Sequence, residues 1–133
     1  MEAERRGLVR QRAENRCEYC SFRQEDMPSV RFHIEHIQPK KHAGSDDLSN
    51  LALACISCNL HKGPNLTDID PDSGQIVPLF GPRRDTWDAH FERRGAFVVG
   101  LTPTGRVTVE VLNMNDSENV DLRAKLIVHG KLE

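Results

Sequence analysis

The sequence predicts an α+β fold, with a cysteine-stapled core over residues 1–66 and a small mixed α/β extension over residues 67–133 packed on it. Three observations predict it. All four cysteines fall into two Cys-x-x-Cys pairs, Cys17/Cys20 and Cys55/Cys58. Between the pairs, Val30-Arg-Phe-His-Ile-Glu-His-Ile37 alternates apolar and polar residues, a strand period. After Pro64 the character changes to turn signals, short β-rich runs and helical patterns.

Taken in order, residues 2–16 read as a polar helix with few apolar anchors (Leu8, Val9, Ala13), leading into the first cysteine turn. The alternating run Val30–Ile37 is a strand, and Pro39–Asn50 a polar loop. Asn50–Cys55 is a short apolar run. A helical turn or two carries Asn59 and Lys62 until Gly63-Pro64 stops it. Beyond, Asp70–Gly74 is a turn followed by a strand at Gln75–Phe80. Asp85–Phe91 is a short helix, and Ala96–Leu101 a strand that would pair with the strand before it. Thr102 with Pro103 behind it fits an N-cap and first helical position. Val107, Val109 and Val111 alternate like a strand, yet the spacing through Leu112 and Asn115 is helical, and helix is the reading adopted. Ser117–His129 is a final helix opened by a Ser cap, with Glu118 in its first turn.

Hydrophobic residues make up 38% and aromatic residues 5% of 133 residues, which is lean for a small domain that must stabilise itself by burial alone. A metal cross-link would help such a chain. No run approaches the length of a membrane span and no charged-then-apolar leader opens the chain, so the expectation is a soluble, cytoplasmic protein without a membrane partner. The net charge of −2 argues against non-specific coating of nucleic acid. Basic residues are local: Arg5, Arg6, Arg10, Arg12 and Arg16 in one stretch, and Lys40, Lys41 and Lys62 near the alternating run. The sequence carries no signal of an oligomeric state.

Two Cys-x-x-Cys turns in a chain without a leader have the spacing of a four-thiolate zinc site. Disulfides and a redox dithiol are the competing readings; neither is favoured by the compartment or by the surrounding pattern. With four thiolates the zinc is structural, because no coordination position is left for substrate.

Inside the bracket, Glu35 offers hard oxygen to Mg2+ or Mn2+, and the free pKa of His36, about 6.5, suits proton transfer near neutrality. A regular strand points neighbours to opposite faces, so a shared site needs the strand to end or twist there, and Pro39 makes that plausible. Asn50 and Asn59 follow on either side of the apolar run.

Phe32-His-Ile-Glu35-His36-Ile-Gln-Pro39 followed by Asn50-Leu-Ala-Leu-Ala-Cys55-Ile-Ser-Cys58-Asn59-Leu-His-Lys62 resembles the HNH endonuclease family, the ββα-metal nucleases. The resemblance covers about residues 17–63 and is closest to the bacterial subgroup whose hairpin is held by a four-cysteine zinc. It implies a ββα-metal core that cleaves DNA phosphodiester bonds, leaving 5′-phosphate and 3′-hydroxyl ends. Within it His36 would be the general base, and Glu35 and Asn59 the ligands of a catalytic divalent metal. Asn50 would tether the hairpin loop and orient His36. Asn59 stands where some relatives carry His, which favours oxygen-ligated Mg2+ or Mn2+ over an imidazole site. The physical logic agrees: a metal held by two side chains keeps positions for water and phosphate, and an oriented neutral imidazole can take the proton of the attacking water.

Other residues are weaker candidates. His33 shares strand parity with Glu35 and is an outer metal ligand, a phosphate contact or an exposed strand histidine. His61, Lys62, Lys40 and Lys41 are candidate DNA contacts. Arg83-Arg84 and Arg93-Arg94 read as solvated faces or as a phosphate-contacting edge with Trp87. The competing function is a zinc-stabilised nucleic-acid-binding module without catalytic activity; a purely structural zinc protein would leave the Glu-His-Asn-Asn spacing as coincidence.

Overall fold

A computed structural model describes residues 1–133. The fold is mixed: five α-helices and three separate two-stranded antiparallel sheets. Helix α1 spans Ala3–Arg12, and only Val9 on it is buried. A helix this polar cannot be held by an apolar stripe, and its arginines do the holding. Arg12 donates to the carbonyls of Leu48 and Leu51 at 2.9 and 2.6 Å, and Arg5 donates to that of Asp46 at 3.0 Å. Part of the basic stretch is therefore a strap rather than a free surface. The helix stops short of residue 16 because Glu14 and Asn15 both take left-handed backbone, at φ 54° and 56°.

Strand β1 (His33–His36) pairs antiparallel with β2 (Leu51–Ala54), with Glu35 opposite Ala52 and His36 opposite Leu51. The strand is shorter than the alternating pattern, since the Phe32 amide turns aside to the Gln24 side chain at 2.7 Å. All of β2 is buried. Its outer edge does not face solvent: the Glu18 amide donates to the Leu53 carbonyl, and the Leu53 amide donates to the Glu18 carboxylate, each at 2.8 Å. Residues of the first cysteine turn thus act as a third, irregular strand. Helix α2 (Ile56–Lys62) starts at Cys55 and ends where Gly63 takes φ 50°.

The second half holds two hairpins and two helices. Strands β3 (Thr67–Ile69) and β4 (Ile76–Pro78) flank the Asp70–Gly74 turn; β3 was not expected. Helix α3 (Trp87–His90) leads directly into β5 (Phe91–Arg94), which pairs with β6 (Phe97–Gly100) through a turn at Gly95. The β-rich run therefore pairs with the arginine-bearing segment just before it and not with β4. Helix α4 (Pro103–Val111) is capped by Thr102, whose hydroxyl accepts the Gly105 amide at 3.0 Å, so the helical reading holds. Gly105 is required by close approach: a Cβ there would lie 2.0 Å from the His90 carbonyl oxygen. Helix α5 (Ser117–Val128) is capped by Asp116 and not by Ser117, with the Asn119 amide donating to Asp116 at 2.8 Å.

One continuous apolar core joins the halves. Phe80 meets Tyr19 and Phe91 edge-on, with centroids 6.3 and 5.2 Å apart, a geometry that aromatic rings prefer. Arg123, 1% exposed, lies 5.0 Å over the Phe22 ring. No helix is long and apolar enough to cross a membrane.

The Asp70–Gly74 turn is anchored by a fork. Arg106 on α4 donates to both oxygens of the fully buried Asp70 at 3.1–3.2 Å. Hydrogen bonding to Arg106 lowers the Asp70 pKa from 3.8 to about 2. The carboxylate's stabilising effect is complete above its unfolded value and is lost only as pH falls toward 2. Asp70→Asn is expected to lower Tm by about 5 °C. That gap should stay constant in melts from pH 8 down to pH 5, and a gap that closed within this window would refute the assignment.

Candidate active site and metal centre

The two cysteine turns have matching local geometry. The Cys20 amide points at Cys17 Sγ at 3.5 Å, and the Cys58 amide at Cys55 Sγ at 3.4 Å. Each turn thus aims two sulfurs to one side and offers them N–H groups, and Cys55 also sits at the positive end of α2. The four Sγ atoms lie within 4.8 Å of one another, all buried and none in a disulfide. Four sulfurs about 2.3 Å from one zinc stand about 3.8 Å apart, and Cys20 and Cys55 are 3.7 Å apart. Packed this closely, four thiolates need a cation among them. Without one, hydrogen bonding with Cys17 and burial push the Cys20 and Cys58 thiols up, while Cys55 is pulled down by hydrogen bonds from Cys17 and Cys20. The donor set, its spacing and its burial all fit a four-coordinate zinc. The cluster is positioned to bind a metal, as expected.

Glu35 and His36 make separate sets of contacts, as strand alternation dictates. Glu35 is 6% exposed and faces α2. Its Oε2 lies 3.3 Å from the Lys62 ammonium, and its Oε1 accepts the Tyr19 hydroxyl. Burial raises the Glu35 pKa, and the Lys62 charge opposes this. Burial also pushes the Tyr19 hydroxyl well up, with Glu35 adding to the effect. Lys62 is itself 2% exposed and donates to the Ile37 carbonyl at 3.0 Å. It is a structural cation at the end of β1, and not an exposed contact.

His36 points to the loop. Its Nε2–H donates to Asp46 Oδ1 at 2.7 Å, with the side chain 21% exposed. In the neutral ring this tautomer leaves Nδ1 as the proton acceptor. Lys40 stands 3.3 Å from the same carboxylate, and the His36 hydrogen bond, then Lys40, lowers the Asp46 pKa. Asp46 was not among the sequence candidates. Its signal was an acid in the Gly44-Ser-Asp-Asp47 loop, indistinguishable there from turn chemistry. Tyr19 was hidden for a similar reason, as a spacer between two cysteines.

Asn50 is the tie of the loop. Its Oδ1 accepts the Gln38 amide at 2.8 Å, and its Nδ2 donates to the carbonyls of Gln38 and Ser45 at 3.0 and 2.8 Å. Gly44 lies inside this tie, where a Cβ would stand 1.6 Å from the Gln38 carbonyl oxygen. Asn50 makes no bond to His36; Asp46 does. Asn59 is half-buried on α2 and its side chain has no partner in the chain. His33 is exposed and unpartnered, Lys41 is exposed, and His61 donates to the Ser57 carbonyl at 2.8 Å within its own helix. The sequence-predicted residues therefore fall into a buried Glu35–Lys62–Tyr19 group facing α2 and a half-exposed His36–Asp46 pair at the loop, adjacent along the chain.

For a second, hard cation the donor chemistry fits. Glu35 uses two of roughly four lone-pair positions, and the Asn59 carbonyl is uncommitted. A cation at Glu35 would share that carboxylate with Lys62.

Residues 17–65 match the HNH endonuclease family model. The chain is also similar to the Septu protein PtuB of Bacillus thuringiensis, 27% identical over 108 residues, which is 80% of this chain and 39% of the relative. The chain thus spans about two fifths of that protein's length. No solved structure gives a significant match.

Replacing Cys55 by Ser is expected to reduce bound zinc from one per chain to substoichiometric and to unfold the protein at 37 °C, since a structural zinc supplies on the order of 10 kcal/mol. Elemental analysis alongside circular dichroism checks this. A zinc-free variant with an unchanged melting curve would show that the cluster is not a staple.

Proposed function

Because residues 17–65 carry an HNH endonuclease domain, we propose that the chain hydrolyses phosphodiester bonds in DNA, with His36 as the general base. The observation that carries this reading is the His36–Asp46 pair: a half-exposed imidazole tied at one nitrogen, 2.7 Å from a carboxylate, with the other nitrogen free to accept a proton.

Asp46 fixes the ring orientation and tautomer, so that Nδ1 is the nitrogen placed to take a water proton. Arg5 and Lys40 hold Asp46 in turn, through its carbonyl and its carboxylate. The tie made by Asn50 keeps the loop, and so Asp46, in register with the end of β1. Glu35 and Asn59 would hold a divalent Mg2+ or Mn2+. When bound, such an ion supplies charge stabilisation to the phosphorane and to the leaving oxygen. Lys62 opposes the rise that burial gives the Glu35 pKa and so favours the carboxylate form that a metal ligand needs. Zinc at the four cysteines is structural in this scheme.

The second reading, a zinc-stabilised nucleic-acid-binding module without activity, is favoured by one observation: Glu35 already has a cation, Lys62, and a hydroxyl on its two oxygens.

Incubation of supercoiled plasmid with the protein and Mg2+ or Mn2+ separates the two. The parent is expected to nick DNA and His36→Ala to nick at least about 100-fold more slowly, with zinc content unchanged. Equal rates would sink the role of His36. DNA binding without nicking under any metal would establish the binding module.

A further inference from the structure

A groove of about 420 Å³ runs between the core and the extension, lined by Gln38, Asn50 and Lys62 on one side and by Asn65, Arg83 and Arg84 on the other. Its floor is the apolar strip Pro78–Phe80. No aspartate or glutamate lines it, although the chain holds 20 of them in 133 residues and is net negative. Each lining cation is paired with an acid outside the lining, and Lys62 is buried, so the arginines are the cations that a ligand can reach. Glu35 holds Lys62, Glu18 holds Arg83, and Asp85 holds Arg84.

Arg84 keeps a donor in reserve. Arg84 uses Nε on Asp85 and Nη2 on Asp85 and the Leu79 carbonyl, leaving Nη1 without a partner on a side chain that is 58% exposed. Arg83 Nε is the one buried side-chain nitrogen or oxygen of the chain with no hydrogen-bond partner. The amide of Asn65 is uncommitted, and the hydroxyls of Ser49 and Thr67 also line the groove. Cations and neutral donors over an apolar floor, with no acid, suit a ligand that is anionic and rich in acceptors. A sugar–phosphate backbone is such a ligand. The groove also borders Lys62 and Asn50, and so lies beside the end of β1.

We propose that this groove seats a phosphodiester segment of the substrate strand flanking the cleaved bond, with Arg84 as its phosphate contact. The extension would then be part of the substrate platform. The proposal rests on the nuclease reading and goes beyond it, because residues 66–84 lie wholly outside the matched HNH segment.

The test is fluorescence anisotropy of a labelled oligonucleotide on the full-length protein, without added Mg2+ or Mn2+, across a range of salt concentrations. Arg84→Ala is expected to weaken binding about fivefold and to flatten the log–log salt slope by about 1. Arg84→Glu should weaken it further, and Arg84→Lys should keep most of the slope. Arg94→Ala, an exposed residue of β5 paired with Glu92 and outside the groove, should bind as the parent does. Melting curves of each variant report whether Arg84 has simply disturbed its loop; in that event Arg84→Glu and Arg84→Lys would bind alike, and this would overturn the proposal. So would an unchanged affinity and slope for Arg84→Ala while the parent binds and nicks DNA, and the nuclease reading would survive. A mononucleotide that competes as well as the strand would also overturn it. A parent that neither binds nor nicks nucleic acid would overturn both readings together.

Discussion

Four sulfurs held within 4.8 Å of one another, at the meeting point of two tight turns, impose a constraint that the surrounding structure depends on. A chain with 38% hydrophobic and 5% aromatic residues has a modest core, and the whole stability of such domains is typically about 5–15 kcal/mol. A zinc held by such a cluster would contribute on the order of 10 kcal/mol, which is comparable with that whole stability. The turn at Cys17–Cys20 also covers the outer edge of β2 through Glu18. Positioning the turn therefore positions the hairpin. Through Tyr19 it reaches Glu35 as well.

The charges inside the bracket obey the same economy. A buried carboxylate is costly without a partner, and Glu35 has Lys62 and Tyr19. Removing one partner of such a pair costs far more than the pair contributes. His36 is managed differently, in a half-exposed setting where Asp46 fixes its tautomer without burying it. Neighbours in sequence thus receive different environments, one buried beside Lys62 and the other half-exposed at the loop. One is suited to holding charge permanently and the other to changing it.

The core was legible in the sequence because its signals were local. Cys-x-x-Cys spacing, alternation through His36, and Gly63 behind Lys62 each report on a few adjacent residues. The same held for Thr102-Pro103. What stayed hidden was set by distant partners. Strand β3 carries exposed residues throughout and exists only because β4 and the Arg106–Asp70 fork hold it. Phe91 reads as the end of a short helix and Arg93-Arg94 as a solvated face, and pairing across the turn at Gly95 makes them one strand. Lys62 resembled a surface lysine at the end of a helix, and only the opposing Glu35 explains its burial. Asp46 looked like any loop acid until the fold brought it to His36.

The two residues between Cys17 and Cys20 carry a further consequence. Glu18 bonds at once to Leu53 of the hairpin and to Arg83 of the extension. Tyr19 donates its hydroxyl to Glu35, and its carbonyl accepts the Trp87 indole N–H at 2.7 Å. Positions that in many such turns are only spacers here join three parts of the chain. The matched segment does not detach cleanly: a graft ending at residue 65 would sever Glu18 from Arg83 and Tyr19 from Trp87, and uncover the Tyr19 ring that packs against Phe80.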